Sequence, residues 1–281
     1  MTDGVGRVIL AAAVLLVLPF GVGAQSWRTV TMSRQLSGED DLRVSVSYGA
    51  GHFSVQPADR GVLYRMQLRY DEEVFEPRAE YEGNRLELGV ENVGRSIRIR
   101  KNRSRGEMDL RLSREVPMDL DLEFGAVRAE LDLGGLSMTG LSLSTGASES
   151  TVDISEPNPV RMRTASFEVG AADFTVRHLG NLNARRIEVD AGVGDITLWF
   201  NGAWEQEAGV AIDMGLGALE LRFPEGLGVR LNKDSFLTSL DSEGMVKHGD
   251  AYYSLDWETA DRRITIDLNA AFGSVRVVWV R

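Results

Sequence analysis

The sequence predicts an all-β protein: a β-solenoid of stacked coils of about 22 residues with Gly corners, capped by an N-terminal antiparallel β head. Three observations predict it. In Arg186 to Phe200, RIEVDAGVGDITLWF, apolar Ile187, Val189 and Ala191 alternate with polar residues up to Gly192, and Ile196, Leu198 and Phe200 resume the alternation beyond a Gly-Val-Gly step. That is the pattern of two half-buried strands joined at a bend, where glycine allows positive φ and lets the backbone turn within a continuing strand. Anchored on the first glycine, the same pattern recurs at Gly49, Gly125, Gly146, Gly170 and Gly215, and once more with Ala271 at the anchor and Gly273 kept as the second glycine. The steps between anchors from Gly125 to Gly215 are 21, 24, 22 and 23 residues, and a near-constant period of this size marks units that bury their apolar faces by stacking on neighbours.

The first element, residues 1–24, is predicted to be an export signal. Arg7 precedes a 15-residue apolar run from Val8 to Val22, and Val22-Gly23-Ala24 supplies small residues for cleavage before Gln25. A spanning helix needs roughly 20 apolar residues, and this run also contains Pro19. The chain has no cysteine, which excludes a lipid-modified N-terminal cysteine, disulfides and thiol chemistry. Asp3 and Arg7 cancel, so the formal net charge of −11 stays with the mature chain and argues against generic nucleic-acid binding.

Residues 25–115 hold the Gly49 copy, the alternating runs LYRMQLRY and NRLELGVE, and then SIRIR and EMDLRLS. They are expected to form hairpins that cover the first coil, because the end of a solenoid otherwise presents unpaired backbone groups. Residues 116–281 are expected to be the solenoid proper. Its rhythm breaks at 225–263, where anchors stand 56 residues apart and Phe236, Tyr252, Tyr253 and Trp257 lie among polar residues. A C-terminal cap is expected there, with a lid as the alternative.

The pieces YRMQLRYDEEVFEPRAEYEGNRLEL, MDLRLSREVPMDLDLEFGAVRAELDLGGLSMTGLSLSTGAS, VDAGVGDITLWFNGAW and GLGALELRFPEGLGVRL, in this order, resemble the bacterial toast-rack family, which is related to the C-terminal domain of LiaF-type cell-envelope stress proteins. The resemblance implies a β-solenoid and a bacterial envelope setting, and it brings no catalytic residues. The chain departs from LiaF-type architecture in carrying a signal-like segment where those proteins have several membrane helices, so no membrane-bound regulatory role is carried over.

Stacking the copies defines two columns of outward side chains. Two residues before the anchors stand Glu123, Ser144, Glu168, Asp190, Asp213 and Asn269; three residues after them stand Arg128, Glu149, Asp173, Asp195 and Ala218. At a strand spacing of about 4.8 Å, the carboxylates repel unless a cation, a basic neighbour or water intervenes. Glu168, Asp190, Asp213, Glu149, Asp173 and Asp195 are therefore candidate metal ligands, with calcium as the best-suited ion. The other readings are a solvated acidic face and a site for a cationic ligand. The glycine-aspartate nonapeptide repeat of calcium-binding β-helices is absent.

A second candidate surface is basic: Arg95, Arg98, Arg100, Lys101, Arg103 and Arg105, with Ile97 and Ile99 interspersed. Such a segment suits anionic head groups or acidic polymers; the alternative is a hairpin that pairs with the protein's own acid or protects an edge. His52, His178 and His248 lack any paired metal-ligand spacing, the Gly-x-Gly steps lack the lysine and following helix of a phosphate loop, and there is no G-x-S-x-G elbow.

The sequence thus predicts a non-enzymatic binding or scaffold module of the bacterial envelope, exported to the periplasm or the exterior. It is expected to use no obligate cofactor, to bind an envelope protein or polymer, and to keep no transmembrane segment after cleavage. The alternative is a carbohydrate-active enzyme with a carboxylate pair such as Asp173 and Asp190, although repeated acids do not split into distinct pKa environments as catalysis requires. Self-association through the solenoid edge is a further expectation, with Ile264 to Trp279 as the last exposed coil.

Overall fold

The computed structural model describes residues 26–93, 106–205 and 207–281. The predicted export signal and the basic segment from Arg95 to Arg105 lie outside the described residues. Among the described residues, fifteen strands form one continuous hydrogen-bonded assembly.

The head comprises β1 (Trp27–Gln35), β2 (Leu42–Pro57), β3 (Val62–Asp71), β4 (Phe75–Glu82), β5 (Arg85–Asn92) and β6 (Glu107–Leu112). Of these, β2 is the Gly49 copy and the first long bent strand. On its outer edge its two legs are paired separately: β5 runs parallel to residues 43–47 and is backed by antiparallel β4, while β6 runs parallel to residues 52–57 and is backed by antiparallel β3 and then β1. The backbone groups of the first coil are thereby satisfied on both legs, as a capped edge requires.

β7 (Met118–Asp132) lies parallel to the other edge of β2, and β8 (Met138–Asp153), β9 (Met162–Arg177), β10 (Ala184–Trp199) and β11 (Ala208–Pro224) follow, each parallel to the one before. Each strand bends at its anchor. Apolar residues on both legs face inward: in β10, Ile187, Val189 and Ala191 from the first leg and Ile196 and Leu198 from the second are all buried. Burying such a side chain stabilises the fold by roughly 1.5–3 kcal/mol, and the contribution recurs coil after coil. The third side of each coil is an irregular return, closed by buried Leu133, Leu136, Leu179, Leu182, Phe200 and Trp204. Its backbone is held by asparagines. The Asn158 amide donates to the carbonyls of Met138 and Leu182, and the Asn181 amide donates to that of Ile154. The two polar exceptions within the core of β8, Thr145 and Ser150, both hydrogen-bond to Ser148, which offsets the cost of burying a hydroxyl.

At the corners the structure refines the sequence expectation. Positive φ belongs to the second glycine: Gly194 has φ 145° and Gly217 has φ 141°. A Cβ at Gly194 would also overlap the carbonyl oxygen of Ala172 on the preceding coil. The anchor needs glycine for close approach alone, since a Cβ at Gly192 would stand 2.8 Å from the Gly170 oxygen.

The C-terminal end departs from expectation in one respect. β12 (Gly228–Asp241), β13 (Met245–His248), β14 (Ala251–Ser254) and β15 (Arg263–Val280) do not stack in chain order, because β15 lies between β11 and β12 with both contacts parallel. The segment 225–263 therefore supplies a further coil strand, β12, with the β13–β14 hairpin pairing antiparallel against it. Ile264 to Trp279 is an inner coil and not the last exposed one. β12 escapes the repeat pattern because Lys233, opposite Leu268, takes a place that is apolar in the other coils. Aromatic rings at the ends of the last second legs pack in file at tilted angles, Phe200 against Phe223 with centroids 4.9 Å apart and Phe223 against Trp279 at 5.4 Å.

Candidate functional site: the corner face

Because the strands stack without slippage across the anchors, the predicted columns form. On one flank, Glu123, Ser144, Glu168, Asp190, Asp213 and Asn269 stand opposite one another in succession, and β12 adds Asp234 beyond Asn269. The other flank carries Arg128, Glu149, Asp173, Asp195 and Ala218 in unbroken register. Asp190 pays for its position at mid-column. Burial, and then the neighbouring charges of Asp213, Glu168 and Glu188, raise its carboxyl above the usual aspartate value. Asp121, one outward place earlier in β7, is raised in the same way by burial and by Glu123, Asp119 and Glu168.

Relief comes from basic and amide neighbours near the column ends. Arg128 pairs with Glu149 at 2.5 Å, and the Asn269 amide donates to Asp213 at 2.7 Å. Among the described residues, no group of three or more His, Asp or Glu side chains converges as a metal site does; the six candidate ligands stand in file on two flanks. Asp173 and Asp190 occupy opposite flanks of the corner. The histidines remain apart. His178 sits at a return turn with Nδ1 2.6 Å from Asp153 Oδ1, His248 packs its ring edge near Tyr253 on the terminal hairpin, and His52 stands opposite Arg128.

Between the flanks runs a feature that the sequence reading missed. The residue after each anchor points outward. In β10, β11, β15 and β12 it is Val193, Leu216, Phe272 and Leu237, which stand opposite one another in that order and are 50, 51, 47 and 63 % exposed. The same place in β2, β7, β8 and β9 holds Ala50, Ala126, Ala147 and Ala171. The signal lay in the middle residues of the Gly-x-Gly steps, which become large only toward the C-terminus. The corner face therefore ends in an apolar ridge about four strands wide, bordered on one side by Asp190, Asp213, Asn269 and Asp234 and on the other by Asp195 followed by Ala218, Ser274 and Ser239.

A stacked, all-β architecture with bent parallel strands and capped ends places the chain among the β-solenoid-like repeat proteins. The chain belongs to the toast-rack family: the family model described as the N-terminal domain of toast_rack, DUF2154, matches residues 23–177 and, overlapping, 166–222. Among solved structures it is similar to a candidate cell adhesion protein from Clostridium sporogenes, with 16% identity over 91% of this chain and 100% of that one at a TM-score of 0.47. It is also similar to candidate adhesins from Bacteroides fragilis (10% identity, 90% and 99% covered, TM-score 0.41) and Parabacteroides distasonis (10% identity, 89% and 97% covered, TM-score 0.36). A comparison with curated proteins gave no match.

Proposed function

We propose that this protein is a non-enzymatic binding module of the bacterial cell envelope, exported by its N-terminal segment, that holds a cationic protein segment across the C-terminal half of its corner face. The observation that carries the reading is the ridge of Val193, Leu216, Phe272 and Leu237 with Asp190, Asp213 and Asp234 along one flank and Asp195 on the other. Contiguous exposed apolar side chains rimmed by polar groups are the usual anatomy of an interaction site, and carboxylates on the rim select a partner with basic residues beside its apolar ones. Carboxylates in file without a convergent triad favour such an extended cationic partner over a discrete calcium ion. Their repetition likewise favours binding over catalysis.

The test uses synthetic peptides that alternate leucine with lysine, or leucine with glutamate, titrated against residues 25–281. The lysine peptide is expected to bind, Leu216→Ser to weaken it by about tenfold or more as loss of a central anchor does, and Asp190→Asn with Asp213→Asn to flatten its salt dependence. Equal binding of the glutamate peptide, or indifference to Leu216→Ser, would overturn the proposal.

A further inference from the structure

The other end of the molecule carries a second, differently charged surface. Three strands of the head, β3, β6 and β2, lie side by side and present outward side chains in a grid. One row is Arg65, Arg111 and Gln56; the next, two residues along each strand, is Gln67, Asp109 and Ser54. At strand spacings of about 4.8 Å and about 6.6 Å for two residues along a strand, the grid covers the area of one or two sugar rings. A cleft of about 290 Å³ lies over it.

Arg65 and Arg111 are directly opposite across the antiparallel β3–β6 pair, where side chains stand close and like charges destabilise. Both are exposed. Several other arginines of the head have carboxylate partners: Arg28 reaches Glu72, Arg34 reaches Glu39, and Arg78 binds Glu80, Glu87 and Glu91. Among the described residues, neither Arg65 nor Arg111 has a side-chain hydrogen bond, an ion pair or a ring contact. In a protein of net charge −11, two juxtaposed guanidinium groups that form no ion pair, even with Asp109 in the next row, are an unsatisfied arrangement. An oxyanion placed between them would satisfy it, since each planar guanidinium can make paired hydrogen bonds to a carboxylate or phosphate.

The rest of the grid narrows the ligand. Gln56 and Gln67 each offer amide donors and an acceptor, and Asp109, already accepting from the Ser54 hydroxyl, keeps lone pairs for further donors. A bare inorganic anion would be repelled by Asp109 and would leave the amides unused. A molecule with an anionic group beside hydroxyls would use all of them. At physiological ionic strength the Debye length is about 8 Å, so the distant acid of the solenoid does not cancel the local arginine pair.

We infer that the cleft over Arg65, Arg111, Gln56, Gln67 and Asp109 binds an anionic saccharide unit, with its carboxylate or phosphate between the two arginines and its hydroxyls on Asp109 and the glutamines. The site is independent of the corner face, lying on the cap at the opposite end of the stack.

Calorimetric titration of residues 25–281 with trigalacturonate, with its neutral methyl ester, with a sugar phosphate and with inorganic phosphate tests this. Trigalacturonate or the sugar phosphate is expected to bind saturably, and which is tighter identifies the anionic group. Arg65→Gln with Arg111→Gln is expected to weaken binding at least tenfold, and the same double variant, relieved of like-charge repulsion, to melt no lower than wild type without ligand. Equal binding of the methyl ester, inorganic phosphate binding as tightly as either sugar, or undiminished binding by a folded double variant would each overturn the inference. Lack of binding by both sugars would overturn it as well.

Discussion

In β7 and β9 the residue two places beyond the anchor, Val127 or Ala172, turns its side chain into the core, and the residue one place beyond is a small alanine. In β10, β11 and β15 the position that faced inward is a glycine with positive φ, and the residue before it becomes valine, leucine or phenylalanine on the outside. Apolar volume has moved from beneath the corner to its outer surface. Folding gains nothing from this move. An inward side chain contributes burial, an outward one exposes apolar area to water, and a glycine with positive φ gives up unfolded-state entropy. When a regular stack breaks its own pattern at a cost to stability, the break marks a surface shaped for something other than folding. The same contrast separates the N-terminal corners, where Arg128 pairs with Glu149, from the middle ones, where Asp173 faces Asp195 and Asp190 faces Asp213.

The largest expected effect comes from forcing the second kind of corner to behave like the first. Gly194→Ala places a Cβ against the Ala172 carbonyl and holds a side chain at φ 145°. Strain at such a conformation costs about 1–3 kcal/mol before any overlap is counted. Taking about 3 kcal/mol, the upper end, because the overlap adds to the strain, and roughly 2–4 °C lost per kcal/mol in a chain of this size, the melting temperature should fall by about 6–12 °C. A fall of only a degree or two in a thermal melt followed by circular dichroism would show that the corner is soft, and the contrast between the two kinds of corner would lose its structural basis.

Truncating the inward side chain of the first kind of corner is the intermediate case. Val127 is 5 % exposed, and Val127→Ala should cost about 1–2 kcal/mol, in the range of small core truncations. The equivalent shortening on the outer surface, at Val193, should leave stability within about 0.5 kcal/mol. Equal costs at the two positions by denaturant titration would mean that the ridge packs as core does.

How much of this was legible in the sequence depends on where each signal is stored. The inner faces could be read because apolar residues alternate within one strand, and the columns because parallel strands stacked on a common anchor transmit the alignment unchanged. Asp190 between Glu168 and Asp213 is such a case. β12 could not be read as a coil of the stack, since Lys233 interrupts its alternation and its neighbour in the stack, β15, follows it in the chain. The ridge has no period along any one strand; it exists only across strands, where Val193, Leu216 and Phe272 come together. The arginine pair was further from reach. Arg65 and Arg111 meet through antiparallel pairing between β3 and β6, which the head's irregular loops do not reveal.

The smallest effect sharpens the comparison electrostatically. Asp190 has its carboxyl raised above the ordinary aspartate value of 3.8 by burial and by three neighbouring acids. Its folded form therefore takes up a proton more readily than its unfolded form, so the ionised group weakens the fold at neutral pH. That penalty disappears as pH falls through the raised value toward the ordinary one. Asp190→Asn removes the charge while keeping the shape. It should raise the melting temperature by about 1–2 °C at pH 7, taking about 0.5 kcal/mol for relief of like-charged neighbours across strands, and the gain should shrink to nothing below the ordinary aspartate range. Glu149, which has Arg128 as a partner, should behave in the opposite sense: Glu149→Gln should give no gain at pH 7. If both variants stabilise alike and with the same pH profile, the columns are a uniform solvated face. If only Asp190→Asn stabilises, unrelieved charge is concentrated beside the apolar ridge, where a cationic segment would neutralise it on binding.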